Sequence, residues 1–353
     1  MQPSAIKVKR VRARVSIVLL AAALLLGWSM APAGAAEPVK IRVGYVHVPS
    51  ELGPVMFMMK QVLKNHGKTY TIDYVPFRGT GPMIPALAAK ELDLVTLAFN
   101  SFEAAINNAG LDLKIYADNF QDGVKGYYTG QWGVLENSGI NSVADLKGKR
   151  FSVPAINTAV DMGMRAVMEK QGWTAGKDYH VVEVQFANTE VFLREKKIDV
   201  GFFAQAFWAR AQRAGGIREI FKMTDAFGGV TQFVLRLGRK EFMEQHRGVM
   251  VDYLEDYLLT LRYVQNPKNR DEAVKAAAKF FKLPEQAINP WFIVPEKDYY
   301  RDPNGYINAE ALQRNLKQMV EMGFSKKLLK VAEYWDHSYV DAAVARVGRV
   351  ATP

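Results

Sequence analysis

Apolar and polar residues follow two rhythms along this chain. Val39-Lys-Ile-Arg-Val-Gly-Tyr-Val46 alternates with period two and is rich in β-branched residues, which predicts a strand. Residues 55–65 carry Met and Leu at helical spacing and predict a helix. The alternation continues with strands over 70–75, 92–97 and 111–117. Helices over 81–90 and 101–109 separate them, the second stopped by Gly110. The pattern then starts again. Strands are expected over 130–135, 150–153, 179–184, 198–203 and 230–237. Between them fall a one-turn helix opened by the capping-box spacing Ser142-Val-Ala-Asp145 and helices over 158–171, 189–196 and 207–214. From residue 240 the chain is mainly helical, over 240–245, 248–265, 271–281 and 309–322, with a loop near 295–308. Strands separated by helices imply an α/β fold with mostly parallel sheets covered on both faces. The two α/β runs suggest two lobes, and the C-terminal helices are expected to return to the first.

Composition narrows the function classes. The chain has 353 residues, an ordinary apolar share of 49% and no cysteine. Disulfides, thiolate metal sites and cysteine nucleophiles are therefore excluded. The formal charge of +10 suggests a nucleic-acid or membrane surface until it is located. Half of it stands on Lys7, Lys9, Arg10, Arg12 and Arg14. An apolar run over 15–26, broken only by Ser16, follows, and then the small-residue site Ala33-Gly34-Ala35. Basic start, short apolar centre and small-residue end predict a cleaved signal peptide over residues 1–36. The run is short of the roughly 20 residues a spanning helix needs. The mature chain is then expected to be soluble in the periplasm, monomeric and free of a lipid anchor, with no role in nucleic-acid binding.

Several segments resemble one family. Ala86-Leu-Ala-Ala-Lys-Glu-Leu-Asp93 is similar to its helix-to-strand signature, with Lys90 where Gly is usual. Ala109-Gly-Leu-Asp-Leu-Lys-Ile115 and Lys197-Ile-Asp-Val-Gly201 are similar to two further signatures. Ser142-Val-Ala-Asp-Leu-Lys-Gly-Lys-Arg-Phe-Ser-Val-Pro154 is the strongest match. The family is the periplasmic substrate-binding proteins of ABC importers, of the nitrate, sulfonate and taurine type. The resemblance implies a type II periplasmic-binding-protein fold, two lobes joined by two crossing segments near 122–126 and 233–238. Lobe one would take 37–124 and 236–353, lobe two 125–235. It also implies a solute-binding component that closes on its ligand like a clamshell and delivers it to the transmembrane subunits of a permease.

In open parallel sheets, ligands sit beyond the carboxyl ends of the strands. That rule selects the loops at 47–50, 77–82, 98–101, 155–158, 204–208 and 224–228. Free N–H groups at helix starts favour an anion there. Arg78 adds a bidentate donor, and Gly79 and Gly81 allow close approach. The expected ligand-binding residues are Tyr45, His47, Arg78, Gly79, Thr80, Phe99, Asn100, Ser101, Asn157, Thr158, Gln205, Trp208 and Asp225. Asn100 and Asn157 are equally good helix caps. Aromatic residues beside these loops, Tyr45, Phe77, Phe99, Tyr128, Phe207 and Trp208, suit an organic moiety on the ligand, which points to a sulfonate- or carboxylate-type organic anion. No cofactor, metal or catalytic residue is expected. Tyr300 to Ala311 imitates a calcium loop but lacks ligands at its first and twelfth positions. His-Glu-x-x-His and Gly-x-Ser-x-Gly are both missing. The alternative is a periplasmic sensor, or an enzyme acting on a thiamine-precursor-like heterocycle, on the same fold.

Overall fold

The computed structural model describes residues 37–352. The signal peptide expected over 1–36 lies outside the described residues. From Val39 onward the chain forms one compact unit.

Three parallel strands open it: β1 (Val39–Val46), β2 (Tyr70–Phe77) and β3 (Leu94–Ala98). β1 pairs with both of the others. β4 (Leu113–Asp122) and the much later β10 (Thr231–Arg239) complete a five-stranded sheet in the order β2-β1-β3-β10-β4. β10 runs antiparallel to both of its neighbours. Period-two alternation assigns the two faces of β1. Ile41 and Val43 pack beneath the C-terminal helices, while Val46 joins Val95, Leu97 and Ile115 on the opposite face.

The second run builds β5 (Gln131–Leu135), β6 (Arg150–Val153), β7 (His180–Glu183), β8 (Gly201–Phe203) and β9 (Ile217–Lys222). β5 lies antiparallel between β8 and β9, and β6 pairs parallel with β7. A bridge from Phe151 to Val200 joins the two pieces. The resulting order, β7-β6-β8-β5-β9, repeats that of the first sheet.

A paired side-chain device repeats as well. In the first sheet, Arg42 donates its backbone N–H and Nε to Asp93 Oδ2 (3.0 and 2.9 Å) and Nη2 to Oδ1 (2.7 Å). In the second, Arg150 makes the same three bonds to Asp199, each at 2.9 Å. Both aspartates follow a tight turn out of a helix. Lys90 and Lys196 take left-handed backbone conformations there, each at φ 56°. The usual Gly at the Lys90 position has a physical reason, since only Gly adopts such a φ without strain.

Helices α1 (Gly53–Met56), α2 (Met83–Ala88), α3 (Phe99–Asn107), α4 (Ala159–Glu169), α5 (Thr189–Arg194), α6 (Gln205–Ala214) and α7 (Met223–Phe227) connect the strands. α8 (Lys240–Gln245), α9 (Arg247–Gln265), α10 (Arg270–Phe281), α11 (Glu285–Ile288), α12 (Ala309–Glu321), α13 (Val331–Tyr334) and α14 (Ser338–Val347) follow β10. They return to the first sheet. α9, α10 and α14 cover one face, and α12 packs beside α3 on the other. The helix expected over 55–65 stops at Met56. The backbone N–H groups of Lys64, Asn65 and His66 are drawn to the buried Asp256 carboxylate instead, at 2.7–3.3 Å. β9, α7, α11, α13 and α14 were not expected.

The chain passes between the sheets at 123–130 and 228–230. Gly123 is needed at the first crossing, because its φ is 77° and a Cβ would run into Thr224. The second crossing comes earlier than the sequence suggests. Residues 233–238, expected to cross, already lie within β10. A loop over 289–308 braces the first crossing. Glu296 N–H donates to Gly126 (2.7 Å), Tyr128 N–H to the carbonyl of Asp298 (3.0 Å) and Gln121 N–H to Tyr300 (2.8 Å).

Candidate ligand cleft

β1, β2 and β3 run parallel, so the chain leaves all three at one end of the sheet. β6, β7 and β8 do the same in the second. The loops that follow these strands line one cleft of about 940 Å³.

From the first sheet come Val48, Ser50 and Glu51, Arg78 to Pro82, and Asn100 and Ser101 at the start of α3. Ala98 precedes α3 in an extended conformation and gives no side-chain cap. The first amides of α3 thus keep their donor capacity and positive end charge. The Thr80 and Ser101 hydroxyls, which bond to each other at 2.7 Å, stand beside them. Arg78 is exposed at the rim. At Gly79 a Cβ would meet nothing closer than 3.9 Å, and at Gly81 nothing within 4 Å, so open space lies against this backbone.

From the second sheet come Pro154 to Val160, Gln185, Phe186, Phe202 and Ala204. The start of α4 is capped, and a carboxylate stands beside it. Thr158 Oγ1 accepts from Asp161 N–H, and the buried Asp161 carboxylate accepts from Asn157 N–H (2.9 Å) and Arg165 Nε (2.8 Å). An anion therefore finds the freer donors at α3. Asn100 Nδ2 donates to the carbonyl of Asn157 at 2.7 Å, a direct bond across the cleft. Neither asparagine caps a helix. Asn100 is the second residue of α3, and Asn157 precedes the cap of α4 at φ 63°.

The cleft thus brings together Arg78, Gly79, Thr80, Asn100, Ser101, Asn157 and Thr158. Six other expected residues lie elsewhere. Tyr45 shares a face with Ile41 and Val43. Its hydroxyl meets His47 Nδ1 at 3.2 Å, and His47 packs against Phe280 and Phe281 of α10. Strand alternation gives the cleft side to Val46 and Val48 instead. Phe99 is fully buried, edge-on to Phe227. Gln205 is buried, donating Nε2 to Asp298 at 3.1 Å. Trp208 packs on Phe203 behind the second sheet. Asp225 is exposed and accepts from Lys222 N–H (2.8 Å) at the start of α7, in a stretch expected to be a loop.

The aromatic wall comes from other residues. Phe120 stacks on Tyr299 with centroids 4.7 Å apart, and Phe233 lies 6.3 Å from Tyr299 and 5.8 Å from Phe120, so the three rings form one cluster. Phe186, Phe202 and Phe324 extend it. Phe186 follows β7, so the carboxyl-end rule could have found it. Phe120 and Phe233 meet only through the β4–β10 pairing, and Tyr299 arrives from the 289–308 loop. Among the described residues, no cluster of three His, Cys, Asp or Glu side chains is placed to hold a metal ion.

The family described as ABC transporter, phosphonate, periplasmic substrate-binding protein matches residues 47–245, more than half of the chain. The chain belongs to this family. It is the periplasmic substrate-binding component of an ABC importer. Solved structures share its periplasmic-binding fold. The periplasmic aliphatic sulphonate binding protein SsuA from Escherichia coli superposes with a TM-score of 0.67 at 18% identity, over 86% of this chain and 99% of that one. The alkanesulfonate-binding protein SsuA from Xanthomonas axonopodis pv. citri, bound to MOPS, gives 0.65 at 17% identity over 86% and 99%. The periplasmic nitrate-binding protein NrtA from Synechocystis PCC 6803 gives 0.67 at 11% identity over 88% and 90%. No curated protein matches the chain. No helix of the described residues is long and apolar enough to cross a membrane.

Proposed function

We propose that this binding protein captures a small organic anion of the sulfonate, phosphonate or carboxylate type in the cleft and hands it to its permease without chemical change. The observation that carries this reading is the pairing of an uncapped helix start with an aromatic wall. The α3 amides, with Thr80, Ser101 and Arg78, would hold the acidic group, and Phe120, Tyr299 and Phe233 would face the organic part. A cleft of about 940 Å³ is far larger than nitrate requires. The SsuA proteins among the structural neighbours are sulfonate-binding, which supports the same class. Capture would proceed by clamshell closure between a lobe built on the first sheet and one built on the second, with ligand favouring the closed state through contacts to both. A cleaved leader over 1–36 and a monomeric mature chain belong to this reading. The family match supports transport over the enzyme or sensor alternative.

Titration calorimetry over a panel of alkyl and aryl sulfonates, phosphonates and carboxylates, with nitrate as control, tests it. An organic acid is expected to bind with micromolar or tighter affinity. Arg78→Ala should weaken that acid about tenfold, the loss expected for one charge-assisted hydrogen bond. Binding of nitrate alone, or of none of the panel, would overturn the reading.

A further inference from the structure

One cleft residue is at odds with a site built for an anion. Glu51 lies in the loop after β1, lines the cleft and is 2% exposed. Its Oε2 accepts from Asn119 Nδ2 at 3.0 Å. Among the described residues, none pairs with it as a salt bridge. The cations it senses, Arg236 and Arg301, are turned toward other partners, although the Arg236 Nε is buried without one. Arg236 is 1% exposed, donates to the Tyr253 hydroxyl (3.3 Å) and lies over the Tyr257 ring. Arg301 donates to the carbonyls of Ser50 (2.8 Å) and Tyr299 (3.0 Å) and pairs with Asp298. These bonds fix the loop that carries Glu51. Burial pushes the Glu51 carboxyl above its ordinary range, while Arg236 and Asn119 work in the opposite sense.

A second acid, Glu103, also lines the cleft, but its Oε1 already accepts from Asn107 Nδ2 and the Ser325 hydroxyl. Asn100 adds another acceptor. Its Nδ2 faces the Asn157 carbonyl, which can only accept, so the orientation of the amide is settled. Its Oδ1 is then a buried acceptor with no partner among the described residues. Acceptors left without donors in a site that sheds water are costly, and a ligand that supplies the donor recovers that cost.

We propose that Glu51, oriented by Asn119, determines specificity by accepting a hydrogen bond from a donor on the ligand, so that the cleft selects acids bearing such a donor over bare anions. The proposal rests on the organic-acid reading above. The donor could be a P–OH of a hydrogen phosphonate, a hydroxyl, or an ammonium group on the organic part.

Calorimetry on matched pairs distinguishes these sources: methylphosphonate against methanesulfonate, and 2-hydroxyethanesulfonate and 2-aminoethanesulfonate each against ethanesulfonate. The wild type is expected to favour the donor-bearing member of at least one pair about tenfold. Glu51→Gln keeps the size of the side chain and removes its charge. It should erase most of that preference, chiefly by tightening the bare anion. Glu51→Asp keeps the charge and should retain the order of the pair, which guards against a variant that merely misfolds. The pair whose preference collapses identifies the source. Equal binding within every pair, or equal change of both members in Glu51→Gln, would sink the role of Glu51 while leaving the organic-acid reading intact. Failure of every acid to bind would sink both.

Discussion

Asp118 and Asp122 sit near the end of β4, under the first crossing, and both are fully enclosed. Burial pushes each up to about 7, although each accepts hydrogen bonds that favour its charge. Gln232 Nε2 and Asp302 N–H serve Asp118, at 2.7 and 3.0 Å. The Thr129 hydroxyl and Gly130 N–H serve Asp122, at 2.5 and 2.8 Å. In the unfolded chain both titrate near about 3.9. The folded state therefore holds more protons between these values, and its stability falls as pH rises toward 7. The slope is at most about 1.4 kcal/mol per group and pH unit. The urea midpoint should be higher at pH 5 than at pH 7.5, and Asp118→Asn should reduce the difference. A midpoint that climbs with pH over this range would contradict the assignment. The cleft itself was partly legible at this scale. Arg78, Thr80, Asn100, Ser101, Asn157 and Thr158 follow the carboxyl ends of strands, a position the alternation of elements already marks. Tyr45 and Phe99 mislead because a residue beside a cleft can still face away from it.

At the scale of elements, the two Arg–Asp clamps show a short motif acting as a structural fastener. One ties Arg42 on β1 to Asp93 just before β3, the other Arg150 on β6 to Asp199 just before β8, and each aspartate N–H returns a bond to the carbonyl of its arginine at 2.9 Å. Burial opposes the charge on both aspartates, but the arginine donors overcome it and hold each below the usual carboxylate range. The clamps differ in depth. Asp93 is 3% exposed and also accepts from Arg239 at 2.7 Å, whereas Asp199 is 27% exposed. Asp93→Ala should therefore cost about 3 kcal/mol of unfolding free energy, toward the range for breaking a buried pair. Asp199→Ala should cost nearer about 1 kcal/mol. Denaturant titration of the two variants checks the order, and equal losses would refute it. The sequence displays both aspartates plainly, yet not their partners, since Arg42 and Arg150 stand about fifty residues upstream. Short elements such as α7 and α11 went unseen because five or fewer residues complete too few turns to display a period.

For the molecule as a whole, a hydrogen bond from Asn100 to Asn157 bridges the cleft. A second bridge, outside the cleft, runs from Gln205 at the start of α6 to Asp298 in the 289–308 loop. Removing the first bridge should shift any equilibrium between closed and open forms. Asn100→Ala should favour opening by about 1 kcal/mol, a several-fold change in population. Small-angle scattering of the ligand-free protein would register it as a larger radius of gyration, and an unchanged radius would show that this bond does not hold the halves together. The two α/β runs were legible as a repeated alternation. The place of β10 was not, because long-range pairing leaves no local pattern. That place has a consequence for how the molecule comes into being. β3 and β4 are neighbours in sequence, but the strand that joins them in space ends only at Arg239. A chain emerging N-terminus first cannot finish its opening sheet until the second has been made. Such high contact order delays closure of the core and keeps the nascent polypeptide threadable through most of its own synthesis.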